Sequence, residues 1–502
     1  MSSRQILSHN SNKKLFDFLQ PAPAWTAILA LVLFTVFCLL LRAGSIVQLA
    51  FPVGSFAVGV LLYRRYPILY VGFTWWLWLL SPLVSRISGY VSGAAGEGKP
   101  LIIVTPYVVT VLTFTTFLRH LPKTWKSGLP FVLAFTGVFY SFLVGMSHHF
   151  APDSSDMFAG VDPGMLPYAP MKIAESVLSW LAAILFGFYL FVNWRDYPSY
   201  RQNFQRTFLW GVLVAGVYGI VQYTLVPDWD RFWFINSPDM QLCCGSPEPF
   251  MLRLWSTSNT PATFSSFMVA GLLLLFSSPG FLKVPAAVAG YLSFLLSAVR
   301  AAWGGWLIGL LILIVSMKPR FQMRLLVTIL AMGLIVSMVS TIEPFSEVIA
   351  TRFQTFSNIQ QDQSLSERSD LYNELLNKTL TDGLGRGMGG GKIVDAGILD
   401  VLSTLGWFGL IPFLGGSIML LVNIFLYPEG RFDPFMSAAR AISLGMFMML
   451  PATNTMMLLH GMIFWSFAGI AMAAHKYYQH HNYQQPNYQH QNTAELKRRS
   501  AT

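Results

Sequence analysis

The sequence predicts an all-α fold, a polytopic transmembrane helical bundle, and three observations carry that prediction. Apolar runs longer than about 18 residues recur from Trp25 to a stretch ending near Ala474, the length a helix needs to cross a bilayer. The 502 residues are 54% hydrophobic and only 11% charged, where soluble proteins carry about 25%. Lys and Arg gather between alternate runs, which a membrane topology explains and a soluble fold does not. A β-barrel would instead show short alternating segments, and the first run is too long for a cleaved leader and lacks a small-residue cleavage site.

Fourteen candidate spans follow, at about 23–42, 45–63, 66–82, 101–118, 128–146, 172–192, 207–226, 262–278, 284–299, 301–317, 325–342, 402–426, 435–452 and 455–474. The stretch 284–317 is divided because 34 helical residues would reach about 51 Å, well beyond a hydrocarbon core of about 30 Å. A break near Arg300 resolves the excess. The last two spans are joined by Pro451-Ala452-Thr453-Asn454, a turn signal.

With the N-terminus inside, the inner segments and span ends hold 21 of the 33 Lys and Arg residues, among them Lys13-Lys14, Arg64-Arg65 and Lys497-Arg498-Arg499. Twelve lie outside, five of them in the long 343–401 loop, where the charge rule is weak. Both termini are therefore expected in the cytoplasm. The organisation reads as a cytoplasmic 1–22, a bundle over 23–342, a large outer loop over 343–401, three last spans over 402–474, and a Gln-, Asn-, Tyr- and His-rich tail over 475–502 expected to be disordered. The net charge of +10 is scattered over loops, so no nucleic-acid partner is expected. Cys38, Cys243 and Cys244 form neither a disulfide framework nor a zinc site, and the adjacent pair is read as two free thiols rather than a vicinal disulfide.

The outer segments 147–171, 227–261 and 343–401 are long enough to build a site. In the last, Ser364 and Glu367 have capping-box spacing and Leu371, Leu375 and Leu376 recur at helical intervals, so 365–380 reads as a short amphipathic helix. Arg368 and Tyr372, four residues apart, share one of its faces. Gly383 to Gly391 follows, with Arg386 among the glycines; it reads either as a flexible turn or as a loop whose amides approach an anion. Asp395, just before the next span, is either a general base or a helix cap. Arg300 stands between two apolar runs, either snorkelling at the interface or serving function. With Arg253, Arg352 and Arg368 it could form a cationic pocket for a phosphate-bearing lipid, since guanidinium binds phosphate oxygens bidentately. Asp228-Trp229-Asp230 has the spacing of a metal-binding acidic pair, but in a loop rich in Pro and aromatics it is read as a turn, and no metal or other cofactor is expected.

Three segments resemble the O-antigen polymerase and O-antigen ligase superfamily. They are Arg253-Leu254-Trp255-Ser256-Thr257-Ser258-Asn259-Thr260-Pro261, then Leu296-Ser297-Ala298-Val299-Arg300-Ala301-Ala302-Trp303, and finally Ser366-Glu367-Arg368 with Gly385 to Gly391, Val394 to Leu399 and Leu405-Gly406-Trp407-Phe408-Gly409. The resemblance covers roughly residues 250–425. Where many members place a histidine near the start of the exit helix, this sequence has Asp395.

The resemblance implies a GT-C-like glycosyltransferase of the bacterial inner membrane, which polymerises polyprenyl-diphosphate-linked oligosaccharide units into an exopolysaccharide on the outer face. Arg300, Arg368 and Asp395 would be catalytic, and Arg253, Arg352, Tyr372 and Arg386 would bind substrate. Membrane lipid and a chain-length regulator are the further partners it suggests. A ligase moving a finished glycan to a lipid or protein is the alternative enzyme. A lipid-linked sugar flippase is the alternative of another class; it predicts inverted repeats and charges within paired spans, and the sequence offers no clear repeat.

Overall fold

A computed structural model describes residues 23–93, 101–150, 168–316, 383–390, 397–426 and 433–499, with single positions at 322, 323, 330 and 380. These residues are almost entirely helical, and the only β pairing among them is an isolated bridge between Gly245 and Leu252. In chain order the helices are α1 (Pro23–Leu40), α2 (Gly44–Arg65), α3 (Pro67–Ser92), α4 (Leu101–Val111), α5 (Phe114–Thr124), α6 (Leu129–Phe150), α7 (Pro170–Val192), α8 (Tyr197–Leu225), α9 (Asp228–Ile235) and α10 (Pro238–Cys243). They continue as α11 (Pro261–Leu275), α12 (Lys283–Leu296), α13 (Arg300–Ser316), α14 (Gly397–Leu426), α15 (Pro434–Met448) and α16 (Leu458–Arg499). Among the described residues nine helices are long and apolar enough to cross a membrane, with α4 and α5 forming one of them; α11, α12 and α13 are shorter apolar helices. The multi-pass, all-helical class expected from the sequence is therefore present. The stretch 325–342 and most of the 343–401 loop lie outside the described residues.

Local sequence sets the helix ends. Pro67, Pro170, Pro261 and Pro434 open their helices, where a missing N–H costs nothing. Thr260 and Asp433 cap α11 and α15 through side-chain oxygens that accept from Thr263 N and Phe435 N. Interior Pro106 and the interruption between α4 and α5 loosen that segment's hydrogen-bond ladder. The Tyr70 hydroxyl answers by donating to Val109 O at 2.8 Å, and the Thr113 hydroxyl donates to Thr110 O at 2.7 Å.

Packing sorts the loops onto two ends. At one, α2 begins against Ser88 and Ser92, Leu254 N bonds Leu296 O, Tyr168 N bonds Gly389 O, and Gly397 abuts Leu450 and Thr453. At the other, Asn203 bonds Ile68 O, Gln205 bonds Ser277 O, and the Asp433 carboxylate gathers Tyr197, Tyr478 and Arg201. The second cluster ties the start of α8 to the lower part of α16. From there α16 continues as helix to Arg499, where the sequence analysis expects disorder. Extending a helix already anchored by packing avoids the nucleation cost that an isolated polar segment would face.

The core is aromatic. Trp75 sits edge-on to Phe186, Phe204 and Phe208, and Trp465 is surrounded by Phe131, Phe413 and Phe464. By contrast α1 turns Leu33 and Phe37 outward, as a lipid-facing helix does. In lipid there is no hydrophobic drive between helices, so close backbone approach has to supply the attraction. Gly187 of α7 and Gly469 of α16 provide it: a Cβ on Gly187 would run into Trp465 O, and one on Gly469 into Gly187 O. Gly187→Val is expected to cost about 1–3 kcal/mol by forcing these helices apart. A lowered thermal unfolding midpoint of the detergent-solubilised protein, relative to Gly415→Val at an uncrowded helix position, checks this.

Candidate active site

Each of the seven non-glycine residues with positive φ among the described residues lies at the end that carries the long loops: Arg42, Tyr168, Val226, Phe250, Ser256, Ala298 and Leu458. Such backbone persists only where surrounding structure holds it, and it concentrates at functional sites. At Ser256 it is held by a buried polar network that sequence analysis did not find. Arg86, near the end of α3, pairs its Nε with Asp230 Oδ1 at 3.1 Å, and both side chains are fully buried. Its Nη1 and Nη2 donate to Ser258 O and Ser256 O. Asp230 Oδ2 accepts from the Tyr218 hydroxyl at 2.7 Å and Gln222 Nε2 at 2.8 Å, while Gln222 Oε1 accepts from Trp255 N and Ser256 N. The loop over 253–260 is thereby fastened from beneath.

Asp228-Trp229-Asp230 is consequently neither the turn expected nor a metal pair. It opens α9, with Pro227 as its cap and two acids in the first turn, where the helix dipole favours them. Asp230 is already committed to Arg86, and no group of three or more His, Cys, Asp or Glu able to hold a metal exists among the described residues. Cys243 and Cys244, expected as free thiols, are joined in a disulfide. α10 ends at Cys243, so the disulfide lies at that helix's C-terminus.

Arg253 leaves the same loop and reaches three main-chain oxygens: Cys243 O at 3.0 Å, Ser297 O at 3.4 Å and Ala298 O at 3.0 Å. The last two belong to the break between α12 and α13, where the sequence analysis places an interruption near Arg300. Carbonyls at a helix C-terminus carry partial negative charge, which explains the attraction for a guanidinium. Arg300 is the first residue of α13. A cation at a helix start is opposed by the macrodipole, so helix stability gives no account of it. Arg253 and Arg300 are thus brought to one break, two of the cations predicted from the sequence.

Residues 383–390 of the glycine-rich segment form bends and turns, as one of its two expected descriptions has it, and they are tied to the bundle. α14 is broken at Gly406 (φ 61°, ψ 178°), which strips helical partners from nearby carbonyls. Arg386 N fills one vacancy at Ser403 O (2.7 Å) and Gly387 N another at Thr404 O (3.1 Å), while Met388 N bonds Ser141 O (3.0 Å). These amides face helices, not an anion, and Gly387 (φ 76°) lies so close to Gly145 that a side chain would collide. Arg386 itself donates from Nη2 to Ser403 Oγ at 2.6 Å, and its carbonyl accepts from Tyr168. Nearby, Asp400 accepts from Asn454 Nδ2 at 2.7 Å, joining α14 to the turn before α16. Arg352, Arg368, Tyr372 and Asp395 lie outside the described residues.

No model of a known protein family matches the chain, and no curated protein matches it. Two outcomes test the geometry. Removing either partner of the Arg86–Asp230 pair strands a buried charge, so Arg86→Met or Asp230→Asn alone is expected to cost about 3–5 kcal/mol, and the double variant less than the sum. Denaturation of the four proteins measures that coupling. Gly387→Ala is expected to destabilise by about 1–3 kcal/mol through crowding and positive φ, read as a lower unfolding midpoint.

Proposed function

We propose that this chain is a glycosyltransferase of the bacterial inner membrane that joins polyprenyl-diphosphate-linked oligosaccharide units into a surface or exopolysaccharide on the outer face. The observation that carries the reading is Arg300: a cation at a helix start, beside a break clamped by Arg253, at the end where strained backbone collects. The resemblance of residues 250–425 to the polymerase and ligase superfamily supports it. In this reading the chain has about fourteen spans, both termini are cytoplasmic, the loop-rich end is outer, and the 343–401 loop carries a short amphipathic helix.

An acceptor hydroxyl attacks the anomeric carbon of the donor, and the lipid diphosphate departs with the electron pair of the broken C–O bond. Negative charge grows on that leaving group, so fixed cations act most strongly there. Arg300 and Arg368 take this role, and Arg253, Arg352, Tyr372 and Arg386 bind substrate. Asp395 orients or deprotonates the acceptor hydroxyl. Arg86 and Asp230 are charges within the bundle, as a flippase would require, but they are locked to each other and to main-chain carbonyls, which suits an anchor better than a moving carrier.

The test is the glycan profile of a deletion strain complemented with wild type, Arg300→Ala or Arg368→Ala at equal expression. Wild type is expected to restore a polymer ladder, and each variant to lose about 100- to 1000-fold in rate, leaving single lipid-linked units. A single transfer without a ladder would instead identify a ligase, and full activity in both variants would remove the assignment of the arginines.

A further inference from the structure

The disulfide at the end of α10 is tied to the break before α13 through a single residue. Cys243 and Cys244 both present their carbonyl oxygens to Arg253. Cys243 O accepts from Nη1 at 3.0 Å, and Cys244 O accepts from the main-chain N at 2.9 Å. Cys243 O belongs to the last turn of α10, where carbonyls lack intrahelical partners and carry partial negative charge. The chain between folds back on itself, with Gly245 bridged to Leu252 and Ser246 N bonded to Met251 O. From this hairpin the guanidinium of Arg253 goes on to Ser297 O and Ala298 O, and Leu254 N bonds Leu296 O at 3.3 Å. The two cysteines, Arg253 and the break thus form one continuous chain of bonds.

A disulfide between neighbouring residues closes a small ring that contains their shared peptide group. The ring therefore sets the direction of the Cys243 carbonyl, and opening it frees that peptide to turn. The two cysteines also differ in access: Cys243 is exposed, whereas Cys244 is wholly buried beside Met240. Gln241, Ser246 and Glu248, which flank the pair along the chain, are exposed as well. Polar and charged side chains of this kind mark a surface that faces water, not lipid.

We propose that Cys243–Cys244 is a thiol-exchange site, open at Cys243 to a dithiol in the surrounding water, and that its oxidation state sets the Arg253 clamp on the break. A thiolate of the dithiol attacks Cys243 Sγ, the S–S bond breaks, and Cys244 leaves as a thiolate that takes up a proton. The second thiol of the reductant then displaces Cys243 from the mixed disulfide. Two electrons and two protons pass to the cysteines, and the dithiol becomes a disulfide. The oxidised protein holds Ser297 and Ala298 against Arg253; the reduced protein releases them. This inference is independent of the glycosyltransferase reading, and it places a redox control beside Arg300, the first residue of α13.

The test is amide hydrogen exchange, read by mass spectrometry on the full chain in lipid nanodiscs before and after dithiothreitol. The mass of the peptide carrying both cysteines reports reduction. Reduction is expected to speed exchange at Leu254, Ser297 and Ala298 about 10-fold, and reoxidation to restore it. The amides of Arg386 and Gly387, which close the other break, are the internal control and should not change. The double variant Cys243→Ser, Cys244→Ser should exchange at the fast rate with or without dithiothreitol, and Arg253→Met should do so even when oxidised. Equal exchange in oxidised and reduced wild type overturns the coupling, as does a double variant as protected as oxidised wild type. Acceleration of the control amides to the same degree also overturns it, marking a general loosening of the fold. A disulfide that resists dithiothreitol until the protein unfolds overturns the exchange site itself.

Discussion

A peptide group inside a hydrocarbon layer has no water to fall back on, so every interruption of a spanning helix has to be repaired by another part of the chain. The architecture of the loop-rich end follows from that constraint. The break at Ser297 and Ala298 is repaired by Arg253, and the break at Gly406 by the amides of Arg386 and Gly387. In each case the repairing segment is brought in from a loop at that end and fixed in place by the repair. A broken helix thus does two things at once: it ends an apolar run, and it recruits a polar strip into the bundle.

The same logic governs charge. A buried ion pair adds little net stability, since desolvation consumes most of the Coulomb gain, but its geometry is strict. Arg86 spends three of its nitrogens on Asp230 and on two carbonyls of one loop, so the loop cannot shift without exposing a bare charge. That rigidity is what lets Ser256 sit at positive φ, and it places Arg253 and Asn259 at opposite ends of a strip only seven residues long. Fixed dipoles and cations are effective in catalysis because they need no rearrangement when charge develops. A clamp of this kind supplies such fixity in a segment that would otherwise be a flexible loop.

Several elements were legible in the sequence because one-dimensional patterns encode them. Run length and charge alternation revealed the bundle, and the excess length of 284–317 located the break beside Arg300. The glycine-rich segment stayed open between two readings because the pattern of glycines reports permissive backbone and close approach without saying what approaches. Its neighbours proved to be Gly145 and the gap in α14, more than two hundred residues apart in the chain. Asp228-Trp229-Asp230 was misread as a turn because Asp230's partner, Arg86, is far away in sequence and was hidden at the end of an apolar run. A buried arginine within such a run was the signal available, since an ionisable residue there rarely lacks a partner.

Periodicity, composition and the spacing of basic residues are local properties, and they alone determined the helical class, the approximate spans and the candidate cations. Which end of the bundle gathers the strained loops, and which arginine is clamp and which stands at a helix start, were decided by tertiary packing. Hydrogen bonds between distant segments depend on distances that no local pattern specifies, because a polar side chain accepts whichever partner the packed helices deliver to it.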